Sequence, residues 1–226
     1  MNESLKLILL RAAANNATSV TEMKQLLDFI TEDDRSLESK GKEVVPTLED
    51  GVYVVFASGE IKPASEYNEQ DGSHSKVLMV YHGHAWIVAP CDAECGKTTL
   101  LKKDAGIEND SPYYKAEIEA LNDFNMESCT AHLRKAGLAF DMDDDSFIPT
   151  AGQLAAMWLY RDSLNKALKD TGGEPLNTDE YYWSSSEDSE YHSWIVNYNS
   201  GHVLTWNNKN TKYYPCIVRP CTAFTL

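Results

Sequence analysis

Between Tyr181 and Tyr213 the chain concentrates side chains that recognise other molecules rather than transform them: Trp, Tyr, Asn, Ser and His. Trp194, Val196 and Tyr198 alternate before Asn199-Ser200-Gly201, and the alternation resumes at His202, Leu204 and Trp206. That pattern predicts a β-hairpin with a glycine-containing connection. Stiff aromatic rings supply contact area and short polar side chains supply adaptable hydrogen bonds, as in antibody paratopes. The tryptophans also suit a core, so only Trp206 is placed among the surface anchors. The candidate ligand-binding residues are Asp188, Tyr191, His192, Tyr198, Asn199, Ser200, His202, Trp206, Asn207, Asn208, Asn210 and Tyr213.

Other constellations fall short of the chemistry they suggest. Cys91-x3-Cys95 follows His82 and His84, but a structural zinc site shows tighter pairs and four clear ligands. The five cysteines, an odd number, read as buried or idle thiols and not as a disulfide framework. Glu94-Cys-Gly-Lys-Thr-Thr99 has the tail of a phosphate-binding loop, yet Cys91 stands where its first glycine belongs. Asp141, Asp143, Asp144 and Asp145 lack the glycine and later glutamate of a calcium loop, so they read as a solvated acidic loop. Ser184-Ser-Ser186 has no flanking glycine elbow, and the six histidines follow no metal-ligand pattern. No catalytic residue, metal or cofactor is expected, and the chain is not expected to be an enzyme.

The elements that must position these residues follow from periodicity. Val52–Phe56, Val77–Tyr81 and Ala85–Ala89 are β-rich runs, with His82-Gly83-His84 as a turn, Ser58-Gly59-Glu60 as another, and Lys62–Ser75 as a polar loop. Tyr114–Asn125 predicts a helix with Ile118 and Leu121 inward, and Ser128–Ala136 extends or restarts it. A helix opened by Pro149-Thr150 runs through Leu168, and Gly172-Gly173 closes it. Leu5, Ile8, Leu9 and Ala12 form one amphipathic stripe, and Val20, Met23, Leu26, Leu27 and Ile30 a second. Residues 1–45 are thus expected to be a helical segment and linker that packs on the main domain or self-associates into a homo-oligomer. Residues 46–226 form the ligand-binding domain. Helices set apart from antiparallel strands predict an α+β fold.

Composition narrows the partners. A net charge of −15 opposes binding to nucleic acid. With 42% hydrophobic and 24% charged residues the chain can build a core. No run approaches the roughly 18 apolar residues of a membrane span, so no membrane insertion is expected. Leu7–Leu10 is too short for the roughly 7–15 apolar residues of a secretory signal. Location stays open between virion association and surface display.

Taken with their order, Tyr182-Trp-Ser-Ser-Ser-Glu187, Trp194-x-Val196-Asn-Tyr198, Gly201 and Val218-Arg-Pro220 resemble the closing motifs of bacterial and phage C-type-lectin-like domains. Phe147-Ile-Pro-Thr-Ala-Gly-Gln-Leu154 is similar to that family's helix start, and the resemblance spans roughly Leu48 to the C-terminus. It implies a C-type-lectin-like fold of antiparallel strands with two flanking helices, pinned by Trp183, Trp194, Val196, Gly201, Val218 and Arg219. Some members are variable proteins of diversity-generating retroelements, in which adenine mutagenesis rewrites surface positions for receptor binding or adhesion. Of the candidate residues, all but Trp206 are accessible from asparagine codons mutated at adenines, whereas Glu190 and Lys212 are not. The implied function is non-enzymatic binding of a protein or glycan on a cell surface. A structural component of a phage or cell-surface appendage is the alternative.

Two further branches of the fold are poorly matched. Glu174-Pro-Leu-Asn177 and Trp206-Asn-Asn208 are near-misses of the calcium and sugar motifs of animal lectins, the second lacking its carboxylate. Cys216-x4-Cys221 has a spacing suggestive of formylglycine-generating enzymes, without the rest of their C-terminal pattern.

Overall fold

A computed structural model describes residues 48–68, 76–103, 113–210 and 215–225, with Trp206 and Asn207 described by backbone only. The chain divides into two units, Met1–Pro46 and Thr47–Leu226. The helices expected over Leu5–Ile30 lie outside the described residues, as does Tyr213.

The three β-rich runs become β1 (Gly51–Val55), β3 (Lys76–Tyr81) and β4 (His84–Val88). The expected polar loop instead begins with a short strand, β2 (Ile61–Pro63), paired antiparallel to β1. Two more short strands, β5 (Ser146–Phe147) and β9 (Cys221–Ala223), complete a six-stranded antiparallel sheet in the order β2-β1-β3-β4-β9-β5. A second sheet of three antiparallel strands contains β6 (Tyr181–Glu187), β7 (His192–Asn197) and β8 (Val203–Asn208) in that order. The expected C-terminal hairpin is therefore β7 and β8, turned at Gly201 with φ of +74°.

Alternation explains why the small sheet has two buried faces, since successive side chains of a strand point to opposite sides. Tyr182, Trp194, Val196 and Tyr198 join one cluster with Leu154, Met157, Leu164 and Leu168. Trp183 and Ile195 join another with Leu100, Leu133, Cys216 and Val218.

Among the described residues four α-helices lie between the strands: α1 (Glu117–Leu121), α2 (Met126–Ala136), α3 (Ala151–Leu159) and α4 (Arg161–Asp170). Thr150 caps α3 reciprocally with Gln153: its hydroxyl accepts from Gln153 N at 3.2 Å while Gln153 Oε1 accepts from Thr150 N at 2.9 Å. The single helix expected from Thr150 to Leu168 is broken at Tyr160. The break has a packing cause, because α3 lies against β6 and β7 whereas α4 lies against β1 and β3. α1 is shorter than its periodicity predicts, and Ile118 is exposed, not inward; Ala120 is the buried residue of that helix.

Near the C-terminus, Cys216 and Ile217 make isolated bridges to Thr98 and Tyr182, and the strand that enters the six-stranded sheet is β9.

Candidate recognition surface

Several buried polar groups tie the C-terminal sheet to the rest of the domain. Trp183 Nε1 donates to Thr98 O at 2.8 Å, and Trp194 Nε1 donates to Tyr114 O at 3.0 Å. Arg219 has no exposed surface. It donates from Nε to Asp92 Oδ1 at 2.7 Å, from Nη1 to the Ala89 and Glu174 carbonyls, and from Nη2 to the Pro175 carbonyl. A planar guanidinium suits this role because its donors form a fixed fork. The Tyr182 hydroxyl, pushed upward in pKa chiefly by burial, donates to the same Asp92 carboxylate at 3.3 Å.

At one end of the sheet the Asp188–Tyr191 turn joins β6 to β7. Asp188 N and Ser189 N both donate to His192 O, while Ser189 Oγ accepts from His192 N at 3.1 Å. Beneath this turn lies a buried ion pair: the Lys209 ammonium donates to Glu187 Oε1, with Lys209 3% and Glu187 2% exposed. Lys209 also donates from Nζ to Ser189 O at 3.1 Å and from its backbone N to Tyr191 O at 3.0 Å. His132 Nε2 stands 3.5 Å from the other carboxylate oxygen of Glu187. The turn is thus fixed from below by both the main chain and the side chain of one lysine. Above it, Tyr191 is 49% exposed, and Asp188, His192, Asn208 and Asn210 are partly exposed. A hydrogen bond to Glu190 is the main cause that raises the Tyr191 pKa.

At the opposite end, Asn199, Ser200 and His202 are exposed on the β7–β8 turn. Asn197 Oδ1 accepts from Asn199 N at 2.9 Å and from Ser200 N at 3.3 Å, the geometry of an Asx turn. The Trp158 ring forms the floor of this turn, donating from Nε1 to Tyr198 O at 3.3 Å. A Cβ on Gly201 would meet that ring at 2.6 Å.

The candidate residues therefore form two groups, not one patch. Five strand steps separate His192 from Asn197, about 17 Å at the usual rise. Tyr198 needs a correction: it is 1% exposed, and its hydroxyl donates to Leu154 O at 2.9 Å inside the core. Burial is the main reason its pKa lies well above the ordinary value. Its position two residues beyond Val196, on the face shared with Trp194, places it there. Glu187 and Lys209, which support the first turn, were missed because a charge in a polar run reads as solvated; the sequence carries no signal for their burial.

The remaining constellations resolve as follows. Asp141, Asp143, Asp144 and Asp145 are exposed, and Arg134 bonds Asp144 Oδ1 at 3.2 Å and the Ser146 carbonyl at 2.8 Å. Residues 94–103 contain a turn and isolated bridges but no helix, so the helix that directly follows a phosphate loop is missing among these described residues. Among the described residues no group of three or more His, Cys, Asp or Glu side chains is arranged to hold a metal. Asn177 Oδ1 is used locally, accepting from Asp179 N at 3.0 Å. Cys129, Cys216 and Cys221 are buried free thiols, whereas Cys91 and Cys95 are free and exposed.

No protein-family model matches this chain, and no curated protein matches it. A solved fimbrial protein from Bacteroides ovatus has a similar structure, with a TM-score of 0.51 at 14% identity, over 78% of this chain and 49% of that one. This chain thus spans about half the length of that relative, and what the likeness establishes is a common arrangement of helices and antiparallel sheets.

Proposed function

We propose that this chain is a non-enzymatic binding protein that presents a recognition surface on a C-type-lectin-like scaffold. The observation that carries the reading is the Asp188–Tyr191 turn, whose outward Tyr191 rests on the buried Glu187–Lys209 pair. A rigid base with exposed side chains is what a variable surface needs, because contacts can change while the core does not. Tyr191 is the apolar anchor, of a type enriched in binding hot spots. Asp188, His192, Asn208 and Asn210 supply polar contacts around it. The ligand is a protein or glycan on a cell surface. Retroelement diversification fits the accessible codons at these positions, and a neighbouring near-copy of the C-terminal coding region beside a reverse transcriptase gene would be its genomic signature.

The test compares Tyr191→Ala with Tyr198→Ala by flow cytometry on a panel of bacterial cells, alongside thermal melts. Tyr191→Ala is expected to lose cell binding by at least about tenfold with an unchanged melt. Tyr198→Ala is expected to lower the melting temperature. Undiminished binding by Tyr191→Ala would refute the assignment of the anchor.

A second reading, an assembly component of a surface appendage, is favoured by the structural likeness to a fimbrial protein. Light scattering of the chain with and without residues 1–45 separates the two. A concentration-dependent polymer that needs no separate ligand supports assembly, and a monomer or small closed oligomer supports recognition.

A further inference from the structure

The β3–β4 hairpin turns on two residues of positive φ, His82 at 49° and Gly83 at 77°. Such a turn is ordinarily served by Asn-Gly or Gly-Gly, and a histidine in the left-handed region is strained by about 1 kcal/mol or more. Positions that break a local rule are where function is expected to reside. The His82 ring stacks on Tyr81 at 4.1 Å and 9°, and its backbone N–H donates to Asp50 Oδ1 at 2.7 Å. Just past the turn, the exposed His84 ring stacks on Phe124 at 4.8 Å and 10°.

Beside this second stack lies a cavity of about 570 Å³, lined by His84, Phe124, Met126, Glu127, Ser128 and Phe224 among others. Its size falls within the range of small-ligand sites, roughly 300–1,000 Å³. The lining has one composition that selects a ligand. It offers three rings and one carboxylate, and among the described residues no lysine or arginine. Ring faces attract organic cations through their quadrupole, and a carboxylate at the rim adds a counter-charge. The first turn of α2 contributes a partial positive charge here, which Glu127 offsets from within that turn.

We propose that this cavity binds an organic cation, an ammonium or guanidinium group held over the His84–Phe124 stack with Glu127 as its counter-ion. Burial, and then the neighbouring His82, lower the His84 pKa, so near neutral pH its imidazole presents a ring and not a competing charge. The site lies on the β3–β4 hairpin and α2, and it is independent of the recognition surface proposed above.

The test is an NMR titration of the full chain, following the imidazole and ring signals of His84 and Phe124. The probes are tetramethylammonium, guanidinium, a short lysine-bearing peptide and the same peptide acetylated on lysine. Saturable shifts with the cationic probes are expected, weakened about tenfold or more by acetylation. Glu127→Gln, a substitution at an exposed position, is expected to weaken binding about threefold with an unchanged melt. His84→Ala is expected to abolish the shift at Phe124. Binding of the free cations as tightly as the peptide assigns the site to small amines; binding of the peptide alone assigns it to a partner's basic side chain. Equal shifts from the acetylated peptide, or shifts that rise linearly without saturation, would overturn the proposal.

Discussion

Replacing Lys209 by Met tests whether the Asp188–Tyr191 turn rests on a buried charge pair. Methionine keeps the unbranched apolar stem and deletes the ammonium. Glu187 would then remain 2% exposed with no lysine against Oε1, and the bond to Ser189 O would go as well. Removing one partner of a buried ion pair costs about 3–5 kcal/mol, because the remaining charge stays out of water. The unit Thr47–Leu226 is large enough that each kcal/mol moves the melting temperature by roughly 2–4 °C. Lys209→Met is therefore expected to melt on the order of 10 °C lower. Pairing it with Glu187→Met removes both charges and restores a packed interior, a change that is often neutral or stabilising. The assay is a double-mutant cycle by urea unfolding, and the coupling between the two sites is expected at about 3 kcal/mol or above. A single-variant loss below about 1 kcal/mol is typical of an exposed pair and would refute the burial argument. A double variant as unstable as the single one would show that packing, and not charge, holds the turn.

Gly201→Ala forces a side chain into the left-handed region and against the Trp158 ring, so a loss of at least about 1–3 kcal/mol is expected in the same unfolding assay; a neutral result would mean the turn is free to shift. A thiol reagent near neutral pH is expected to modify Cys91 and Cys95 in the native chain and to reach Cys129, Cys216 and Cys221 only after denaturation. Partial desolvation raises the thiol pKa of Cys95, which slows its labelling near neutral pH. Rapid labelling of Cys216 in the folded protein would favour the cysteine-enzyme reading over a binding protein. The His84 pKa is depressed by burial, so its contribution to stability is present above the unfolded value of 6.5 and is lost as pH falls below it. Melts from pH 8 to pH 5 are expected to fall less steeply for His84→Gln than for the parent chain, and parallel curves would contradict this.

Elements whose own residues determine them were readable in the sequence. The runs at Val52, Val77 and Ala85 carry enough β-branched and aromatic residues to define strands, and Thr150 with Gln153 writes its own capping box. The burial of Trp183 and Trp194 also follows from residue type and alternation, whereas that of Arg219 was implied only by the resemblance. What escaped the sequence depends on distant neighbours. The break at Tyr160 arises because consecutive helices lie on different sheets, and no proline or glycine marks it. Ile118 is exposed because α1 has a single turn to bury and uses Ala120 for it. Tyr198 is the instructive case: the period that puts Trp194 and Val196 inward puts Tyr198 inward too, and its polar hydroxyl suggested a surface role that the Leu154 carbonyl satisfies inside.

The separation of the two exposed turns bears on which ligand the proposed recognition surface would suit. The Tyr191 and Asn199 turns stand at opposite ends of strands about 17 Å long. A single sugar ring is far smaller than that span and engages one end only. A protein partner covering about 800 Å² of this chain, the usual share of a stable interface, is wide enough to touch both. The two ends also differ in chemistry. The first offers an exposed tyrosine over a fixed acid–lysine base, whereas the second offers short polar groups beside Trp158 and the Arg161 guanidinium, 4.6 Å above that ring. Variation at both ends is useful only to a surface that is read along its whole length. If both turns are diversified together, the physically consistent ligand is a macromolecule; diversity confined to the Tyr191 end is compatible with a glycan.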